Sequence, residues 1–501
     1  MSMPISRRRF VQGIAAGACA LGLGRSAFAQ PSSSLRIRKS ALELPPTDQV
    51  FHQYADAVTA MHALPQNDPR RWLLQARIHA DHCQHGTAGF LPWHRHYLNQ
   101  FEQICGELIN DHTFALPYWD WTDKAGKLPD PFFDVAALNV THWNDDGQYN
   151  GAAWGPINTT NIRAISKGFG VQNDPTNGGA FTAQKIQSIL QETDFDIFEG
   201  RLEGEPHNTG HIVVGQPANG QAGHMASGLS PLDPIFWLHH CNVDRLWAQW
   251  QLAGNTTPPI QGNYNGDFVD ATGHPVNVTA AGALDFHALG YSYEQFENPR
   301  NLLDMAGLAS ATSHASLLAS FTSREHINNN PVTIGSVAQP TKVNVGVAKT
   351  VPIQVSDLAA QLKGDRTTLG TSLPSVATQK AQGLKADMLV DFGRAKQIPR
   401  QILARFRNVK GNFERPPVVG VYVNCPYLAP QTPWSDPHYA GTFTFFGSHA
   451  HDHDAGHNFV VDLTGALRNI DLRHANDLRV QFMARGAAAS FEVGQIEIIS
   501  A

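Results

Sequence analysis

Histidines gathered in separate short runs are the residues of this chain best suited to chemistry. One run is His85-Gly-Thr-Ala-Gly-Phe-Leu-Pro-Trp-His94-Arg95. The other is His207-Asn-Thr-Gly-His211, followed later by Asp233-Pro-Ile-Phe-Trp-Leu-His239-His240. Imidazole donors without a cysteine quartet suit copper, zinc or iron. Two clusters, each able to supply three rings, predict two metal ions, and a pair of copper ions facing each other is the reading these residue types favour.

Spacing narrows the donors. His207 and His211 are four apart, so on a helix both rings leave the same face and can grip one ion. Metalloprotease helices share this spacing but place a glutamate directly after the first histidine. Asn208 stands there instead, which disfavours a zinc hydrolase. An isolated H-x-x-x-H is commonly a surface pair, a reading that weakens when other histidine-bearing helices share the same apolar context. His239 and His240 cannot both face one centre. His240 shares a face with Asp244 and Trp247 and is the chosen ligand, leaving His239 to packing or to support of the ligands. Asp244 could fix a ligand ring's tautomer, or be a surface carboxylate beside Arg245. In the first cluster His85 and His94 stand with His79, His82 or His62 as third donor. His96, two residues from His94, is expected to point away toward solvent.

These side chains need helices to aim them. Tyr54, Val58, Met61 and Leu64 recur at helical spacing. Asp68-Pro69 reads as cap and first residue of a helix carrying His79. Pro92 opens one carrying His94 and Cys105, Glu205-Pro206 one carrying His207 and His211, and Asp233-Pro234 one running to a stop at Gly254. Four helices converging on a common centre is how bundles build metal sites. Lys124–Asn177 is turn-rich and reads as surface loop. Beyond about residue 330 the pattern changes to short strands over 342–347, 351–355, 388–392, 418–423, 441–446, 459–463, 478–483 and 491–499, an antiparallel sandwich. The expected fold is therefore mainly α: a four-helix-bundle binuclear copper domain over residues 30–330, then a C-terminal antiparallel β-sandwich domain over 331–501.

Residues 1–29 read as an export leader rather than fold. Ser6-Arg7-Arg8-Arg9-Phe10-Val11 is a twin-arginine pattern, an apolar stretch follows, and Ala27-Phe28-Ala29 makes a cleavage site before Gln30. That stretch is too short and too rich in Gly and Ala for a stable membrane anchor. The expectation is a folded, cofactor-loaded protein passed through twin-arginine export machinery to the periplasm or outside. Net charge is −6 over 501 residues, without the basic stripe that nucleic acid requires. Four scattered cysteines outside the leader do not make a disulfide framework. Cys105 and Cys241 read as core residues.

The string His85-x(4)-Phe90-Leu-Pro-Trp-His94-Arg95-x-x-Leu98-x(3)-Glu102 resembles the first copper motif of the tyrosinase, polyphenol oxidase and molluscan haemocyanin superfamily. Asp233-Pro-x-Phe-Trp-x-x-His240-x(3)-Asp244 resembles its second. Leu116-Pro-Tyr-Trp-Asp-Trp121 and Leu289-Gly-Tyr-Ser-Tyr293 are similar to recurring segments of that family. The resemblance implies a type 3 pair of copper ions in a four-helix bundle. Motif by motif, it assigns His79, His85 and His94 to copper A and His207, His211 and His240 to copper B. It favours His79 over His82 because the stretch from Leu64 to His79 is similar to the plant enzymes.

The same resemblance carries further expectations. Cys83-Gln84-His85 is similar to the C-x-H in which a cysteine sulfur is joined to the ligand imidazole. Glu203 and Asn208 match the glutamate that holds a water in tyrosinases and the asparagine that orients it, so both are candidate catalytic residues. Ser227 matches a position that is a bulky phenylalanine in plant catechol oxidases, and a small residue there leaves copper A open. The function implied is an exported tyrosinase acting on small phenols with dioxygen, hydroxylating monophenols and oxidising o-diphenols to o-quinones. The alternatives are a catechol or o-aminophenol oxidase without hydroxylation, and a haemocyanin-like dioxygen carrier. Tyr427 is a candidate for a tail side chain inserted into the site. His449-Ala-His451-Asp-His453-Asp-Ala-Gly-His457 is either a copper-shuttling loop or a solvated hairpin loop.

Overall fold

The computed structural model describes residues 35–143, 161–174, 177–215, 223–297, 331–369, 395–411, 417–445, 456–470, 477–486 and 490–501. The leader (1–29), the strand expected at 388–392 and His449, His451 and His453 lie outside these residues. Among the described residues no helix is long and apolar enough to cross a membrane.

A helical core carries the histidine runs. Helix α1 (Gln49–Ala63) is capped by the Asp48 carboxylate, which accepts from the Val50 amide at 3.0 Å, and buries Phe51, Tyr54, Val58 and Met61 on one stripe. It stops at Leu64, extended because Pro65 follows. Helix α2 (Trp72–His82) starts later than Asp68-Pro69 suggested. The Asp68 carboxylate is taken up by the amide and guanidinium of Arg70, making a turn before the helix instead of a cap. Helix α3 (Phe90–Leu108) is buried along nearly its whole length. After the single turn α4 (Pro131–Asp134) come α5 (Ala183–Leu190), α6 (Phe195–Leu202), α7 (Asn208–Gly215) and α8 (Ile235–Leu252).

Pro206 does not open a helix. It sits inside a wide π turn, Glu203–His207, that joins α6 to α7. Proline lacks an amide hydrogen and its ring crowds the carbonyl four residues back, so the turn widens rather than breaks.

Asp244 also departs from expectation. Among the described residues its carboxylate meets neither a histidine ring nor Arg245. It accepts from Arg38 at 3.0 Å, from the Tyr291 hydroxyl at 2.6 Å, from the Tyr293 hydroxyl and from Arg95. Strands β1 (Arg36–Arg38) and β4 (Tyr291–Tyr293) pair in parallel to deliver Arg38 and the two tyrosines, while Arg95 comes from α3. Arg38 also grips Glu102 of α3, so one buried knot ties α3 to α8. Burial opposes ionisation of Asp244, but Arg95, Arg38 and the two hydroxyls hold its pKa below the ordinary value.

A hairpin, β2 (Asn263–Val269) with β3 (Pro275–Thr279), lies against α3. It covers His96, which is buried and bonded from Nε2 to the Thr279 carbonyl at 2.9 Å rather than facing solvent.

Two antiparallel sheets follow. One orders β13 (His457–Asp462), β10 (Ile402–Lys410), β15 (Ser490–Ser500) and β5 (Val332–Val337), with β6 (Thr341–Asn344) also on β15. The other orders β12 (Tyr439–Thr444), β11 (Val418–Val423), β14 (Asp477–Arg485) and β7 (Lys349–Gln354). Phe406, Val409, Phe443, Phe459, Phe482 and Ile498 from both sheets share one core. Strand β13 packs on α6, where Val460 leaves no room for a side chain at Gly200.

Candidate metal centre

Six imidazoles converge in two triads. His79 lies in the last turn of α2, His85 sits in the loop after it, and His94 lies in the first turns of α3. Their donor atoms lie within 4.8 Å of one another and all three rings are buried. Each helical ring is aimed by its other nitrogen: His79 Nδ1 bonds the Gly228 carbonyl at 2.7 Å and His94 Nδ1 the Phe90 carbonyl at 2.8 Å. Nε2 of His85 and of His94 has no hydrogen-bond partner among the described residues.

The second triad is tighter. Nε2 of His207 lies 3.2 Å from that of His211 and 3.3 Å from that of His240, and the last two are 3.3 Å apart. Nitrogens bound about 2.0 Å from one ion in roughly tetrahedral directions stand about 3.3 Å apart, so this triangle fits a metal. His211 Nδ1 bonds the Met225 carbonyl at 2.8 Å, and His207 Nδ1 lies 3.0 Å from Asn208 Oδ1. The two triads face each other: the His94 and His240 rings stack at 4.5 Å, and His85 and His207 at 5.5 Å. Burial, then the neighbouring rings, lowers the pKa of His85, His94, His207, His211 and His240 well below the ordinary value. Neutral rings are the form that binds a metal.

His239 adjoins the second triad, but both its nitrogens are engaged. Nδ1 accepts from the Trp121 indole at 3.1 Å and Nε2 bonds the His207 carbonyl at 3.1 Å. His82 stands half exposed, 3.8 Å from the Asp267 carboxylate, and His62 stacks on Trp72 and meets Trp143 edge-on; neither joins the first triad.

Glu203 is buried at the start of the π turn. Its Oε1 accepts from the Gly86 amide at 2.7 Å, and its Oε2 has no hydrogen-bond partner among the described residues. Burial raises its pKa to about 8 against the pull of that amide. Glu199, one turn earlier, is itself pushed well up by burial and by Glu203. This carboxyl pair escaped sequence reasoning, although the i, i+4 spacing on one helix was its signal. Cys83 Sγ lies 3.2 Å from His85 Nδ1, with its thiol pKa raised by burial and by Glu203. Phe90 lies 4.7 Å from His94 and 4.8 Å from His207, and Phe236 lies 4.1 Å from His240 and 5.1 Å from His79, walling the rings.

Ser227 lies in the turn that carries Gly228, its hydroxyl donating to the His224 carbonyl at 2.8 Å. Tyr427 is 57% exposed with its hydroxyl on Asp436, so it is not inserted among the histidines. His457, last of the run that starts at His449, does reach the centre's edge: its Nδ1 bonds the His85 carbonyl at 3.1 Å.

Residues 52–253 match the family described as the common central domain of tyrosinase. The chain is 33% identical over 306 residues to (+)-larreatricin hydroxylase of Larrea tridentata, covering 54% of this chain and 51% of that one. It is 28% identical over 375 residues to a tyrosinase of Hahella sp. (strain CCB-MM4), covering 62% of this chain and 73% of that one. The fold is similar to that of latent apple tyrosinase, with a TM-score of 0.53 at 21% identity, covering 93% of this chain and 98% of that one. The chain spans about half the length of the plant relatives it matches.

Proposed function

Through residues 52–253 the chain belongs to the tyrosinase and polyphenol oxidase superfamily of type 3 copper proteins, and on that premise we propose that it is a tyrosinase. It hydroxylates monophenols to o-diphenols and oxidises o-diphenols to o-quinones. His79, His85 and His94 would hold one copper and His207, His211 and His240 the other, on the walls of a four-helix bundle. The metal pair, when bound, supplies the binding of dioxygen and the removal of electrons from the phenol. Cys83 would stiffen His85 through a thioether. The leader (1–29) would send the folded protein through the twin-arginine route to the periplasm or beyond.

One observation carries the hydroxylase reading. A phenol keeps its proton at neutral pH, since its pKa is about 10, so a monophenol needs a base beside the metals. Glu203 offers one carboxylate oxygen without a hydrogen-bond partner among the described residues, while the other is fixed on the amide next to His85. Once ionised, Glu203 would hold a water on that oxygen, and the water would take the phenolic proton and pass it to the carboxylate. The Asn208 side-chain nitrogen, also without a partner among the described residues, would orient the water while its oxygen stays on His207. Phe90 and Phe236 keep bulk water off the rings. Two relatives bear the names hydroxylase and tyrosinase, which accords with this reading.

Oxygen uptake by the copper-loaded chain, first with tyrosine and then with a catechol, tests the proposal. Turnover of both supports it. Turnover of the catechol alone makes the chain a catechol or o-aminophenol oxidase, and reversible oxygen binding without turnover makes it a carrier.

A further inference from the structure

Five of the six converging histidines sit on helical turns; His85 sits in the loop between α2 and α3. A loop donor needs some other restraint, and the polar groups around it show where that comes from. The His85 carbonyl bonds His457 Nδ1 at 3.1 Å, and the Gly86 carbonyl accepts from the Asn458 amide at 3.0 Å. The Gly86 amide donates to Glu203 at 2.7 Å. Two of these three restraints come from the first residues of β13, some 370 positions away in sequence.

Both segments are shaped for this approach. Gly86 has φ +66°, which favours glycine, and a Cβ there would stand 2.6 Å from His457 Cβ and 2.8 Å from its Nδ1. His457 is steadied in turn by Phe459, stacked at 6.2 Å, and Phe445, edge-on at 6.2 Å. The strand behind it is bonded to β10 and docked on α6.

We propose that His457 is a positioning residue for the first metal site: with the Asn458 amide it clamps the His85–Gly86 loop, so that the sheet domain fixes one donor of that triad. This rests on the reading of His85 as a copper ligand. The clamp is a main-chain hold on a donor's loop, and its loss leaves the second triad untouched.

The test uses full-length His457→Ala and His457→Gln. Titration of the two-copper protein with a chelator reads each copper's affinity. His457→Ala is expected to weaken one of the two coppers about 10- to 100-fold, the usual effect of removing a group that orients a ligand, and to leave the other unchanged. His457→Gln, which keeps a side-chain N–H, should recover part of the loss, as a merely destabilising change would not. In the metal-free protein, amide exchange at Gly86 should rise in His457→Ala while β10 and α2 keep wild-type protection. Equal weakening of both coppers, wild-type affinity for both, or unchanged exchange at Gly86 would each overturn the clamp. A wild-type chain that binds fewer than two coppers overturns the copper reading instead, and the exchange measurement still decides the clamp.

Discussion

Trp121 donates its indole N–H to Nδ1 of His239 at 3.1 Å, and that bond selects between two adjacent histidines. With Nδ1 an acceptor, the ring's proton is on Nε2, which points at the His207 carbonyl 3.1 Å away. His239 thus has no lone pair left for a metal, and His240, one position on, turns its Nε2 to the triangle. The first prediction follows from this division. His240→Ala should lose one copper per chain. His239→Gln should keep two, with one bound about 10- to 100-fold more weakly because His207 loses a neighbour that orients it. Copper content after dialysis against graded chelator reads both, and equal loss in the two variants would contradict the assignment.

Glu203→Gln isolates the proposed base. A glutamine oxygen can still accept from the Gly86 amide, so the loop beside His85 stays held. The variant should lower kcat on tyrosine by roughly 10²- to 10⁴-fold, the usual worth of a general base, and change kcat on a catechol by less than about threefold. Parallel losses on both substrates would remove Glu203 from the proton path.

Much of this convergence was legible because five of the six histidines fall where helical periodicity speaks loudly. His207 and His211 share a face whether or not Pro206 starts a helix, so the misjudged π turn did not disturb their pairing. What the chain concealed depends on tertiary partners. His96 is two residues from His94 and faces away from it, but what lies on that side is a hairpin more than 160 positions later. Asp244 sits one helical turn after His240, and the parallel pairing of β1 with β4 brings three of its four partners, Arg38, Tyr291 and Tyr293, to meet Arg95 of α3. Strand β10 was missed because Arg405, Arg407 and Asn408 break its apolar pattern. Yet it is central, and both arginines are satisfied on Glu497 across the sheet at 2.7 and 2.8 Å.

Asp244→Ala should be among the most destabilising single changes in the helical core. It strips Arg38 and Arg95 of a buried counter-charge and takes an acceptor from the hydroxyls of Tyr291 and Tyr293, of which Tyr293 keeps the Cys241 carbonyl. Breaking a buried pair from one side costs about 3–5 kcal/mol. Tyr293→Phe, which removes one hydroxyl, should cost about 1 kcal/mol. Denaturant unfolding of both variants checks the ratio, and a cost below about 1 kcal/mol for Asp244→Ala would contradict the knot's structural role.

A second ion cluster joins the helical and sheet parts and sets an acid limit. Asp462 of β13 lies 3.2 Å from Arg201 of α6 and 3.6 Å from Lys185 of α5, and Lys185 also pairs with Glu205 at 2.7 Å. Burial alone would raise the Asp462 pKa, but Lys185, Arg201 and bonds from Thr464 outweigh it and hold the value down to about 2. A depressed carboxyl stabilises the folded state fully above its unfolded pKa, about 3.8, and loses that contribution as pH falls through its folded one. The contribution is on the order of 2 kcal/mol. Wild-type stability should therefore fall between about pH 4 and pH 2. Asp462→Asn should be weaker at neutral pH by roughly that amount and show a flatter profile across the same window. Unfolding free energies measured at steps of pH decide it: if the variant falls as steeply as the wild type between pH 4 and 2, the acid sensitivity lies in other carboxylates.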